Sequence, residues 1–158
     1  MKTLIFLCFV FAAVSANFIP NEFLGRWKHD KDIKFDEYLE SKGVSWFVRK
    51  MILFAGVTKV FAKDPNDAGS YVMENLTSKK NTKYEGVKLG HEFTAEGMDG
   101  KKHKITFSFN DGKLFEKHIR IEIDKTPEEV YKFFLKDDQL VMELENNGIV
   151  AQRIFKKA

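Results

Sequence analysis

A pair of helix-period segments interrupts this chain once, near its start, and nearly everything after it alternates with period two. Phe23 to His29 reads as a first strand. Phe35, Tyr38 and Leu39 then share one face of a short helix that Asp32 or a neighbour can cap, and Gly43 ends it. A second helix follows from Val44 to Ala55, with Gly56 as its stop. On it, Val44, Phe47, Val48, Met51, Ile52 and Ala55 form one face, and Trp46, Arg49, Lys50 and Leu53 the other. Closing a sheet does not need such a pair. It suits a lid over something the sheet encloses.

After Gly56 the strands come at regular spacing. Val57–Ala62, Tyr71–Thr77, Asn81–Glu85, Leu89–Thr94, Lys104–Asn110 and Leu114–Ile123 precede a break at Thr126-Pro127-Glu128-Glu129. Val130–Leu135, Leu140–Glu145 and Ile149–Lys156 complete the set. Ile105, Phe107 and Phe109 line one side of their strand, and Ile119, Ile121 and Ile123 are expected to do the same on the next. Asp111-Gly112 is a hairpin turn signal, and Asn146-Asn147-Gly148 and Asp137-Asp138 connect the later strands. The expected fold is all-β: a ten-stranded up-and-down antiparallel barrel with a helix-turn-helix lid between the first two strands. A meander of that length has two bare edges unless it closes. Eight strands already enclose room for a small ligand, so ten imply an internal cavity.

Residues 1–16 read as a secretory signal peptide: Met1-Lys2, an apolar run from Thr3 to Val14, and the small-residue site Val14-Ser15-Ala16. The run is shorter than the ~20 residues that span a bilayer. Cys8, the only cysteine, lies inside it, so a chain starting near Asn17 has no thiol and depends on its own packing. Residues 17–158 are enough for one domain with a sizeable core and too few for two. A formal charge of +3, with no basic run interleaved with aromatics, gives no nucleic-acid signature. No metal spacing, cofactor motif or nucleophile–base pair is present. His29, His91, His103 and His118 read as surface or incidental residues, and Glu128-Glu129 and Asp137-Asp138 as solvated turns. Asn75-Leu76-Thr77 is a glycosylation sequon inside a strand, which makes its use less favourable than in a loop.

Several stretches, in order, carry a resemblance: Phe23-Leu24-Gly25-Arg26-Trp27-Lys28, Lys34 to Leu39 with Gly43-Val44, Met73 to Thr77, Lys88-Leu89-Gly90-His91-Glu92-Phe93, and Ala151 to Lys157. Together they resemble the fatty-acid-binding (intracellular lipid-binding) protein family. The leader and the enlarged turns at Asp64–Gly69 and Lys125–Glu129 resemble its secreted nematode branch. The resemblance implies a non-enzymatic, monomeric carrier holding a long-chain fatty acid without a cofactor. It also implies a carboxylate site at an Arg-x-Tyr pair. Arg153 matches the Arg, whereas Phe155 stands in place of the Tyr and lacks its hydroxyl. Lys132 and Arg120 are candidates for a second cation.

Arg153 shares its strand face with Ile149, Ala151 and Phe155, where an unpaired cation is costly. It is a ligand counter-ion, a partner of an acid such as Glu143 or Glu145, or a side chain facing solvent on the outside. Phe35, Tyr38, Phe47, Met51 and Phe54 either line the portal or seat the helices on the rim, and Met142 is counted with the ligand contacts. Trp46, Arg49, Lys50 and Leu53 suit contact with an anionic membrane surface or a partner, unless a loop covers them. A retinoid carrier, a lipocalin (through Gly25-x-Trp27) and a protein-interaction module docking through the lid stay open as alternatives.

Overall fold

The computed structural model describes residues 17–121 and 127–158. The leader, Ile123 and part of the Lys125–Glu129 turn lie outside that range. A short 3-10 turn, Asn21–Phe23, leads into β1 (Gly25–Ile33), α1 (Phe35–Ser41) and α2 (Trp46–Ala55). The remaining strands are β2 (Thr58–Lys63), β3 (Tyr71–Leu76), β4 (Thr82–Val87), β5 (Glu92–Glu96) and β6 (Lys102–Asn110). They continue with β7 (Lys113–Arg120), β8 (Glu129–Lys136), β9 (Gln139–Asn146) and β10 (Ile149–Lys157).

All ten strands form one antiparallel ladder in the order β4-β3-β2-β1-β10-β9-β8-β7-β6-β5. β1 meets β10, which curls the meander into a barrel. The ladder stops between β4 and β5, so the expected barrel is nearly closed by hydrogen bonds. Side chains span that gap: Tyr84 Oη donates to the Glu96 carbonyl at 3.0 Å, Tyr84 packs on Phe93, and Lys80 pairs with Glu96. These contacts cover edges that would otherwise invite pairing with another chain. Asp111-Gly112 and Asn147-Gly148 both take positive φ at both central residues, the type I′ geometry that follows the twist of a two-residue hairpin.

Asp32 does not cap α1. Lys34, in the left-handed region at φ 53°, precedes that helix, and Asp32 belongs to β1. The β1–β10 register slips between His29 and Lys31. His29 pairs with Phe155, Lys31 with Ile154 and Asp32 with Arg153. Asp30 is thus an extra, bulged residue, and it turns Asp32 onto the inner face.

The end of the barrel away from the helices is packed solid. Ile19, Phe23, Trp27, Phe61, Phe109, Leu114, Leu140 and Phe155 fill it. Phe23 and Phe109 meet edge-to-face at 5.2 Å, and Trp27 Nε1 donates to the Phe23 carbonyl at 2.8 Å. Burial of this aromatic cluster carries the fold without disulfides. The inner face of β6 is the expected one, Ile105, Phe107 and Phe109. On β7 the expectation fails: Leu114, Glu116 and His118 point inward, and Ile121 just beyond the strand is exposed. The strand follows the register of β6, where Phe107 pairs with Glu116 and Ile105 with His118, rather than its own apolar alternation.

Candidate functional site: a lidded cavity with paired charges

Under the helices the barrel keeps a cavity of about 900 Å³. Phe35, Tyr38, Met51 and Ile52 roof it, and Met142, Leu144, Tyr84 and Arg153 are among its walls. This volume lies within the range of small-molecule sites.

Arg153 is buried on the inner face of β10. Its Nε donates to Asp32 Oδ1 at 2.9 Å, and its guanidinium lies 4.2 Å from the ring centre of Phe35. The partner is therefore Asp32, not Glu143 or Glu145. Glu143 instead pairs with Gln152 on the outside. His29 Nε2 contacts the same carboxylate oxygen at 2.8 Å. Burial pushes the Asp32 carboxyl up, but the His29 hydrogen bond and the Arg153 charge outweigh it and hold it below its ordinary value. Arg153 Nη2 is enclosed and has no hydrogen-bond partner among the described residues. It is the one fully enclosed polar atom of this group without an internal partner.

Met142 stands opposite Arg153 in the β9–β10 register and lines the cavity. Tyr38 and Met51 also line it. Phe155 does not: it is fully buried below, with its ring 5.7 Å from His29. A polar imidazole thus stands beside the phenyl ring that carries no hydroxyl. Lys132 is corrected as a second cation. Its neighbour Phe133 points inward, so Lys132 projects outward, in register with Glu143. Arg120 does reach the cavity rim, but it donates to Asp99 Oδ2 from Nε at 3.1 Å and again from Nη2.

Sequence reasoning missed a second charged group. Lys59 on β2 and Glu116 on β7 are five strands apart in the ladder, and their side chains meet across the interior at 3.2 Å. Glu116 also accepts from His118 Nε2 at 2.8 Å. Lys59 lies 4.8 Å from the ring centre of Phe133. Burial raises the Glu116 carboxyl, and the Lys59 charge with the His118 hydrogen bond overrides it, down to about 2. His103 touches His118 edge-to-face at 5.2 Å and bonds Asp99 through Nε2 at 2.9 Å. Both imidazoles are buried cavity residues, not surface ones. The available signal was charge at inner positions: Lys59 is two residues from Phe61, and Glu116 two from Leu114. Three cavity cations thus have a resident acid: Arg153 with Asp32, Lys59 with Glu116, Arg120 with Asp99.

The lid differs from expectation in its rotation. Leu53 is half-buried and packs on the core rather than projecting outward. Arg49 and Lys50 are tied to Asp36 of α1, both at 2.7 Å, so they clamp one helix to the other. Phe47 and Phe54 do not line the portal. They are 66% and 94% exposed, beside Trp46 at 64%. Asn75 points inward and donates to Thr82 Oγ1 at 2.9 Å, which leaves no room for a glycan in the folded barrel.

No family model matches the chain. Fatty acid-binding protein homolog 3 of Caenorhabditis elegans is 52% identical over 157 residues, covering 99% of this chain and 94% of that protein. The chain belongs to the fatty-acid-binding protein family. The fatty-acid-binding protein homolog of Ascaris suum is 41% identical and covers 91% of this chain and 89% of its own length. Among solved structures, As-p18, an extracellular fatty acid binding protein, superposes with a TM-score of 0.85 at 41% identity. It spans 88% of this chain and 98% of its own. Schistosoma mansoni fatty acid binding protein, solved with arachidonic acid, superposes at 0.72 with 25% identity over 87% of this chain and 96% of its own. Fatty-acid-binding proteins are carriers rather than enzymes, and this member is not an enzyme.

Proposed function

We propose that this protein is a secreted carrier of long-chain fatty acids that holds one acid in the barrel and hands it to membrane surfaces. The single observation that carries the reading is Arg153 Nη2, a buried, unpartnered donor in the wall of an otherwise largely apolar cavity. A carboxylate oxygen is the natural acceptor for it, through a short charge-assisted hydrogen bond. An acid is favoured over a neutral retinoid because a carboxylate oxygen is a stronger acceptor for that guanidinium N–H than an alcohol or aldehyde oxygen.

The hydrocarbon tail supplies most of the affinity. Burial is worth ~0.8 kcal/mol per methylene, so sixteen carbons gain on the order of 12 kcal/mol before ordering costs of several kcal/mol. Because Asp32 already neutralises Arg153, the head-group contact selects and orients more than it tightens. Secretion is supported by the leader-like residues 1–16 and by the extracellular As-p18. Delivery to membranes is supported by Trp46, Phe47 and Phe54 on the outside of α2, an aromatic face suited to a lipid interface.

The test is displacement of a fluorescent fatty acid by stearate and by octadecanol, in the wild type and in Arg153→Leu. The acid should lose ~10-fold or more in the variant while the alcohol changes little. Equal losses for both would refute the assignment of Arg153.

A further inference from the structure

We propose that the cavity holds a second subsite, at His103, for a hydroxyl group on the lipid chain. The preferred ligand is then a fatty acid that carries a hydroxyl further along its chain than the head group. The inference rests on the reading of Arg153 given above.

Among the described residues, two buried side-chain polar atoms have no hydrogen-bond partner, Arg153 Nη2 and His103 Nδ1. Both residues line the same cavity. The two atoms are of opposite kind. Arginine only donates. His103 Nε2 faces Asp99 Oδ1 at 2.9 Å, and a carboxylate only accepts, so Nε2 is the donor of that pair and Nδ1 is the nitrogen left over to accept. One cavity therefore offers an unused donor and an unused acceptor. A saturated fatty acid answers the first and leaves the second facing methylenes.

A hydroxyl is the group that fits the second place. An anion there would confront the Nδ1 lone pair, and the neighbouring cations are committed, Lys59 to Glu116 at 3.2 Å and Arg120 to Asp99. A neutral O–H donor meets neither objection. The imidazole is also firmly seated. Its edge packs on His118, and Gly97 makes room for it: a Cβ at Gly97 would stand 2.9 Å from His103 Nε2.

Position narrows the ligand further. Arg153 is on β10 and His103 on β6, four strands apart in the ladder. A hydroxyl next to a carboxylate held at Arg153 stays beside Arg153 and Asp32, whereas one further along the chain can be offered to the β6 wall.

The sign of the effect makes the test decisive. A hydroxyl buried without a partner weakens binding, so a purely apolar cavity ranks stearate above any hydroxystearate. Displacement of a fluorescent fatty acid should be measured with stearate, 2-hydroxystearate and 12-hydroxystearate. The 12-isomer should bind ~5-fold more tightly than stearate, the gain of one net hydrogen bond, and the 2-isomer should not. In His103→Phe the ratio of the 12-isomer to stearate should fall below one. Should that variant fail to fold, ¹⁵N spectra of the wild type decide. The His103 Nδ1 resonance should move on adding 12-hydroxystearate and stay in place with stearate. Stearate binding more tightly than the 12-isomer in the wild type, or identical Nδ1 responses to both, overturns the hydroxyl subsite and leaves Arg153 as assigned. Absence of stearate binding, or an acid affinity indifferent to Arg153→Leu, overturns the reading of Arg153 beneath it.

Discussion

Arg153 donates from Nε to Asp32 Oδ1 at 2.9 Å across the β1–β10 ladder, so this cavity cation carries its counter-ion inside the barrel. The head group of a bound acid therefore meets a neutral pair rather than a bare charge. Substituting Asp32→Asn exposes the consequence. Removing one partner of a buried pair costs about 3–5 kcal/mol. A fatty carboxylate can take over the vacated role, so the variant should unfold at lower temperature without ligand and gain more than the wild type on adding stearate. Thermal unfolding with and without stearate measures both, and equal stearate shifts in the two proteins would count against the idea.

Glu116 sets the acid limit of the fold. Its ordinary carboxyl value is 4.5, and in the barrel it stands at about 2, held down against burial by Lys59 and His118. A depressed carboxylate contributes stability that is full above the unfolded value and is lost as pH falls through the folded one. Unfolding free energy should thus drop between about pH 4.5 and pH 2, by up to about 1.4 kcal/mol per pH unit from this group. Glu116→Gln should be less stable near neutrality, because Lys59 is left buried and unpaired, yet should show a shallower acid slope. Urea titrations across that window would show it. An unchanged slope would remove Glu116 from the account.

The outer face of α2 should govern delivery and not affinity. Trp46→Ser together with Phe54→Ser should slow transfer of a fluorescent fatty acid to anionic vesicles several-fold, with binding constants within about twofold. Stopped-flow transfer assays measure the rate. A rate independent of vesicle concentration in the wild type, or unaltered in the variant, argues against contact-driven transfer.

Asp36 ties α1 to α2 through Arg49 and Lys50, each at 2.7 Å. Asp36→Ala should loosen the lid and speed ligand release several-fold, with little change in melting temperature, since the pair is near the surface. A release rate equal to that of the wild type would mean that opening does not involve this clamp.

Much of the architecture is legible from residue order because inward faces, turn chemistry and the lid obey local rules. Ile105, Phe107 and Phe109 alternate into the core, and the glycines at 112 and 148 sit where type I′ turns need them. Arg153 stands out as a cation on an apolar face. Asp32 is not legible, because one bulged residue, Asp30, reverses the parity of the strand beyond it. Lys59 and Glu116 escape notice because they sit half a barrel apart, and His118 because Ile119 and Ile121 advertise the wrong face of β7. The rotation of α2 is hidden for a different reason. It is apolar nearly all round, and its orientation is fixed by Leu53 on the core and Arg49 on Asp36.

The most direct measurement is carbon-edited NMR of stearate labelled with ¹³C at C2, bound to the protein. Its methylene protons should show Overhauser contacts to the Met142 methyl and the Phe35 ring, which flank Arg153. Contacts only to Trp46 or Phe54 on the outer face, or none to the protein at all, would contradict a fatty acid held inside the barrel with its carboxylate at Arg153.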